Sequence, residues 1–293
     1  MITHSFDCTV IVCVYNKSLF VRRAILSILN QTTKVKKIII VDDCSTDNSY
    51  SIVKDLKECY GDLIFIIRNE TNLGLVSSRN IAFQYVCTKY VAFLDADDYW
   101  SIDKIKLQID EVNKGYDFIF NSYCWCDGDS LLTERFVLEP SLRGSDTTKK
   151  LLSGNLISGS ASSVLCSFDN VCRVGYADGN LKSIANNFGE DWDLWLRLSR
   201  VSNFSFVPNV LTFLDSTGEY SSAPLTSFEK IRRYKSHFYI RSKHFVDFSD
   251  VIIDFQFEEF LSLSNTISSI DLIELKSWMN RICPALSSKF VNC

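Results

Sequence analysis

Three carboxylates, Asp95, Asp97 and Asp98, lie within four residues of one another in the segment "YVAFLDADDYW", directly after an apolar run. Like charges at that spacing repel unless a cation compensates, and oxygen-rich sites suit Mg²⁺ or Mn²⁺. Such an ion keeps several waters and takes one or two carboxylates together with substrate phosphates, so a diphosphate-bearing substrate is the economical inference. The stretch fits equally well a solvated turn whose aspartates cap a following helix. A second acidic pair, Glu190 and Asp191, opens the helix-like segment "EDWDLWLRLSR". On its own it reads as an ordinary N-terminal cap favoured by the helix dipole, which would lower the pKa of Asp191 and weaken it as a base.

These groups need a scaffold, and the first third of the chain supplies one. "TVIVCVYN", "KKIIIVDD", "LIFIIRN" and "YVAFL" are short apolar strands, separated by amphipathic segments in which Phe20, Ala24, Ile25, Ile28 and Leu29, then Tyr50, Val53 and Leu56, recur at helical spacing. Thr46 or Asp47 is a candidate cap for the second of these helices, and Ile102, Ile105 and Ile109 give the helix after the aspartates an inward face. Continuous apolar strands alternating with helices imply a parallel sheet covered on both faces. Ligands of open α/β sheets bind beyond the carboxyl ends of the strands. Four such ends carry polar groups here: Tyr15 and Asn16, Asp42 and Asp43, Arg68 and Asn69, and Asp95 to Asp98. The middle of the chain reads less regularly, with strand-like "YDFIFNSYCWC", "SASSVLC" and "FSFVPNVLTFL" around the helix that begins at Glu190, and from about Ser227 the pattern is helical.

A chain of 293 residues with a formal net charge of -4 can bury a large core and has no bias toward coating nucleic acid. Its N-terminus lacks the pattern of a secretory signal, and no run approaches the ~20 consecutive apolar residues of a membrane-spanning helix. The cytosol is the expected compartment. Eleven cysteines are dispersed, odd in number and often set in apolar strands, which suits small core residues in a reducing compartment. Cys124 and Cys126 lack a second pair at zinc-ligand spacing.

The ordered set "VIVCVYN" with "SILNQT", "IIIVDDCSTD", "NLGLVSSRN", "YVAFLDADDYW" and "GEDWDLWLRL" resembles the family 2 glycosyltransferases of the GT-A fold. Six linked motifs over roughly the first 215 residues are far more specific than any one of them. The resemblance implies an α/β GT-A domain over 1–225, with a nucleotide-binding, mostly parallel half at 1–115 and an acceptor-binding half at 116–225, followed by a helical extension over 226–293. Tyr15 matches the aromatic that packs on the nucleotide base, with a core aromatic as the alternative, and Asp43 matches the carboxylate that accepts from the uracil imide. Cys13, Asn16 and Ala96 fall in the donor-binding motifs. Arg79 matches a group facing base or phosphate, against which stands a structural salt bridge. Asp97 matches the direct metal ligand for Mn²⁺ or Mg²⁺, with Asp95 at ribose or a metal-bound water, and Asp98 caps the next helix.

Asp191 corresponds to the general base for the acceptor hydroxyl and Glu190 to its orienting neighbour. Trp192 is either core or acceptor lining, and Trp100 either floors the acceptor side or simply packs. The family has Pro where Cys13 stands and Gly where Cys44 stands. Together these imply an inverting transfer of one sugar from a nucleotide sugar, a UDP-hexose or UDP-N-acetylhexosamine, to a glycan or lipid-diphosphate-linked acceptor in O-antigen or capsule assembly. The basic amphipathic segment "FEKIRRYKSHFYIRSKHF" would rest on anionic lipid with Phe228, Ile231, Tyr234 and Phe238 forming its apolar face, or else pack on the core. His237 and His244 are remote candidates for metal or diphosphate contact. A sugar nucleotidyltransferase, which needs a glycine-rich loop that "VYNKSLFVRR" lacks, and a non-catalytic glycan-binding protein are the alternatives.

Overall fold

The computed structural model describes residues 5–127, 130–135, 142, 146–157, 159–216 and 225–290. The first third alternates as expected: β1 (Phe6–Val14), α1 (Val21–Leu29), β2 (Val35–Asp42), α2 (Ser49–Tyr60), β3 (Ile64–Arg68), α3 (Leu75–Phe83) and β4 (Tyr90–Phe93). There follow β5 (Tyr99–Trp100), α4 (Lys104–Val112), β6 (Phe118–Asp127), β7 (Ser130–Arg135), α5 (Thr147–Ser153), β8 (Leu165–Ser167), α6 (Phe168–Val174), α7 (Asn180–Ala185), α8 (Glu190–Leu198) and β9 (Phe204–Asp215). Four helices complete the chain: α9 (Ser227–Ser242), α10 (Phe245–Ser264), α11 (Ser269–Ile282) and α12 (Pro284–Ser287).

The strands join one sheet in the order β3-β2-β1-β4-β8-β6-β9-β5, with β7 paired to β6. β1 through β4 pair in parallel, whereas β8 runs antiparallel to both β4 and β6. Burial on both faces explains the apolar strands residue by residue. Val10 and Val12 of β1, with Ile38 and Ile40 of β2, pack against Ala24, Ile25 and Ile28 of α1. Their neighbours Ile11, Ile39 and Val41 point the other way, into a cluster with Phe93, Phe118 and Trp195. That second cluster also contains Phe238, Phe260, Met279 and Phe290, so the C-terminal helices bury their apolar faces in the core on one side of the sheet.

Two local expectations change, and one open alternative is decided. Asp98 does not cap α4; Asp103 occupies that position. "SASSVLC" is not one strand: Ala161–Ser163 form a tight 3₁₀ turn before β8, with Ser160 in the left-handed region at φ 53°. In α9, Tyr234 and Phe238 are buried in the bundle, so of the two coverings open to its aromatic face these two residues take the protein core. The expected boundary at 225 adjoins residues 217–224, outside those described.

Candidate active site

The parallel ladder aligns the strand ends. Val14 of β1 lies opposite Asp42 of β2, which lies opposite Arg68 of β3, and Leu94 continues β4 by donating its N–H to the Ile11 carbonyl. The polar groups beyond these ends therefore meet at one edge. Asn16, at φ 51°, bridges two loops: its N–H donates to Ser45 Oγ, while its Oδ1 accepts from the Thr46 N–H at 2.8 Å. Its Oδ1 is thus committed to the loop, while the residue itself remains exposed at the strand end. Tyr15 next to it is 44% exposed, which excludes the core-aromatic alternative.

Asp42 is wholly buried, accepting from the Ser45 N–H at 3.2 Å and pairing with Arg68 at 3.2 Å. Asp43 is buried as well. Its Oδ1 accepts from Asn69 Nδ2 and the Leu73 N–H, both at 2.8 Å, and its Oδ2 from the Gly74 N–H at 2.7 Å. A carboxylate offers about four acceptor positions, and three of those of Asp43 are used within the protein. Through the Leu73 and Gly74 N–H groups it holds the loop that leads into α3. Cys44 adopts φ 62°, a conformation suited to glycine, and its thiol donates to the Glu70 carbonyl at 3.4 Å. Cys13 lies half-buried beneath the site, where burial pushes its thiol up to about 12 and keeps it neutral.

At the end of β4 the aspartates diverge. Ala96 is buried in the core, so its methyl is no donor contact. Asp95 and Asp97 are part-exposed, and Asp97 Oδ2 pairs with Lys17 Nζ at 2.8 Å. Asp98 is buried and accepts from Ser162 Oγ at 2.6 Å, and the same hydroxyl accepts from the Asp95 N–H at 3.0 Å. Burial, reinforced by the neighbouring Asp95 and Asp97, pushes the Asp98 carboxyl well above the usual range. Ser160 Oγ adds a donor to Asp95 Oδ2 at 3.1 Å. This serine turn, together with Lys17, was not among the residues singled out from sequence; the Gly159–Ser160 dipeptide is the signal that marks such a turn.

Arg79 is buried. Its guanidinium forms an ion pair with Glu190 and reaches Asp95 Oδ1 at 3.8 Å, so it is the structural bridge and not a phosphate-facing cation. The bridge joins the end of β4 to the start of α8. There Gly189 adopts φ 78° against α9, and a Cβ at that position would lie 2.8 Å from Ser236 Oγ. Asp191 Oδ1 accepts from the Trp192 N–H at 2.7 Å and Oδ2 from Asn155 Nδ2 at 3.1 Å. Burial raises the proton affinity of both Asp191 and Glu190, outweighing the helix N–H at the first and Arg79 at the second. The helix start, which alone would lower the Asp191 pKa, is thereby outweighed by burial. Trp192 and Trp100 are both buried, with Nε1 donating to the Leu151 and Ser162 carbonyls respectively. Neither lines an acceptor cleft.

Among the described residues no three His, Cys, Asp or Glu side chains converge as a metal cluster. The pair Asp95 and Asp97 nonetheless fits a hard divalent ion that completes its shell with phosphate and water: both are oxygen donors, both part-exposed, and Asp97 already draws a cation. His237 pairs with Glu259, and His244 is buried beside Arg200, so both stand with the C-terminal helices.

The chain is 29% identical over 190 residues to the UDP-Glc:alpha-D-GlcNAc-diphosphoundecaprenol beta-1,3-glucosyltransferase WfaP of Escherichia coli, covering 65% of this chain and 69% of that one. It is 26% identical over 201 residues to the Escherichia coli enzyme of the same description, WfgD, covering 66% and 70%. Several other curated relatives are matched over about half to two thirds of their own length. Residues 1–349 of TarS from S. aureus, crystallised with UDP-GlcNAc, superpose with a TM-score of 0.72 at 17% identity, covering 96% of this chain and 83% of that one, which shows a shared GT-A fold. The family model described as Glycosyl transferase family 2 matches residues 9–167, more than half of the chain. The chain therefore belongs to glycosyl transferase family 2.

Proposed function

We propose that this protein transfers one sugar from a UDP-sugar to a hydroxyl of a lipid-diphosphate-linked acceptor in bacterial surface-polysaccharide assembly, with inversion at the anomeric carbon. The observation that carries the reading is Asp191: a part-exposed carboxylate of raised proton affinity, held at the start of α8 by Asn155 and tied through Glu190 and Arg79 to the Asp95 strand end. The UDP-sugar donor and the lipid-linked acceptor follow the activities for which the Escherichia coli relatives are named and the ligand bound to TarS.

Each residue then has a chemical task. Tyr15 offers an exposed ring for the base, and Asp43 keeps one acceptor position for the imide. Asp97, with Asp95 beside it, would hold Mg²⁺ or Mn²⁺, which when bound supplies positive charge opposite the departing diphosphate. Asp191 takes the proton from the acceptor hydroxyl as that oxygen forms its bond to the anomeric carbon, while the bond to the diphosphate oxygen breaks with its electron pair. Glu190 touches neither partner; it positions Asp191 by anchoring the first turn of α8 to Arg79.

Asp191→Asn tests the assignment. General-base catalysis is worth about 10² to 10⁴ in rate, so turnover should fall by that factor while UDP-sugar affinity, measured by calorimetry, stays within twofold of wild type. Wild-type turnover in the variant would remove Asp191 from the mechanism.

A further inference from the structure

We infer that the face made by α7, the N-terminal half of α9 and α11 docks on a bilayer carrying anionic phospholipid. Phe228, Ile270 and Ile273 project there at 72%, 71% and 69% exposure. Cations surround them. Arg232, Lys235 and Arg281 line the grooves of this face and have no carboxylate within ion-pair distance among the described residues, whereas Arg241 and Lys243, further along the chain, are paired with Glu259 and with Asp178 and Asp193. Lys235 lines both grooves of this face, the one between α7 and α9 that holds Phe228 and Arg232 and the one along α11 that holds Ile273 and Arg281. The two grooves are lined by Lys182, Arg232, Lys235 and Arg281 against one acid, Glu274, while the capping carboxylates Glu229 and Asp271 are outside the lining.

A local excess of cations in a chain of net charge -4 calls for an anionic partner. A second copy meeting this face through its own identical face would bring like charges together. Protruding Phe and Ile side chains between Lys and Arg are the arrangement that sinks into the headgroup region of a bilayer. The position is also useful. Lys182 lines the same groove and its Nζ donates to the Leu73 carbonyl at 2.5 Å, while the Leu73 N–H donates to Asp43. The face therefore abuts the loop that holds Asp43 at the base end of the candidate donor site. This differs from an α9 lying on lipid through Tyr234 and Phe238, both of which are buried.

The inference stands apart from the sugar-transfer reading, because vesicle binding requires no donor. The full chain is sedimented with vesicles of phosphatidylcholine alone or mixed with phosphatidylglycerol, at low and high salt. Binding should require phosphatidylglycerol, weaken with salt, and fall at least about fivefold in Lys235→Glu, since each basic residue near an anionic surface contributes about that factor. The Ile270→Glu/Ile273→Glu pair should lose binding, while Val246→Glu, on the exposed start of α10, should bind as wild type. Circular dichroism melts confirm that each variant is folded. Equal sedimentation with both vesicle types, wild-type binding by the Ile270/Ile273 variant, or loss in Val246→Glu alone would overturn the inference.

Discussion

Arg79 of α3 and Glu190, the first residue of α8, form a buried ion pair, and the same guanidinium lies 3.8 Å from Asp95 at the end of β4. One cation thereby couples the strand end proposed to face the donor with the helix start that bears the proposed base. Asp95, Glu190 and Asp191 all feel this single positive charge, and desolvation leaves their protons more tightly held than in water.

Removing Arg79 should be costly for folding. Arg79→Ala leaves Glu190 and part of Asp95 buried without a cation, and breaking such a pair typically costs about 3–5 kcal/mol. Arg79→Lys should recover part of that, because it restores the charge without the planar fork. Urea unfolding measures both; a loss below about 1 kcal/mol in the alanine variant would show that the pair contributes little.

The pH dependence has a defined sign. Glu190 and Asp191 have folded-state pKa values raised mainly by burial above the ordinary 4.5 and 3.8. The stability they contribute is full below those ordinary values and is lost as pH rises through the raised ones. Glu190→Gln, which keeps the shape without the charge, should flatten that decline when unfolding is followed from acid to neutral pH. On the activity side, deprotonated Asp191 is the working form, so the acid limb of kcat/KM should lie above 3.8. An acid limb at or below that value would deny Asp191 the role of base.

Cys44 carries a side chain in a left-handed conformation, which costs an L-residue about 1–2 kcal/mol. Cys44→Gly should therefore raise stability by about 0.5–1 kcal/mol after the greater chain entropy of glycine is subtracted. Cys44→Val should lower it. Thermal unfolding checks both, and a less stable glycine variant would indicate that the Glu70 contact outweighs the strain.

Gly189 combines positive φ with a close approach by α9. Gly189→Ala should cost about 2 kcal/mol through strain and through contact with Ser236, and should displace Glu190 and Asp191 enough to cut turnover more than donor affinity. Wild-type turnover with a lowered melting temperature would separate the packing effect from the site.

Much of the fold could be read from residue patterns because two-faced burial writes itself as runs such as Ile38 to Val41, and because strand ends in an α/β sheet gather their polar residues at one edge. What patterns could not decide was the use of groups suited to two tasks. Trp100 and Trp192 have the amphipathic rings of a sugar platform, yet each finds a backbone carbonyl inside the core, a partner supplied by distant chain. Arg79 was open to phosphate or salt bridge, and the answer depended on Glu190, more than a hundred residues away. Asp43 reads as a base-binding carboxylate, but the N–H groups of Leu73 and Gly74 that hold it become visible only once the loop closes over it. In α9 the helical spacing of Tyr234 and Phe238 correctly marked one apolar face without telling whether protein or lipid would cover it.

Single displacement with Asp191 as base inverts the anomeric carbon, and the configuration of the product tests it most directly. Transfer from an α-linked UDP-sugar to a lipid-diphosphate-linked acceptor, followed by the anomeric proton coupling in NMR, should yield the β-linked product. An α-linked product would contradict the mechanism.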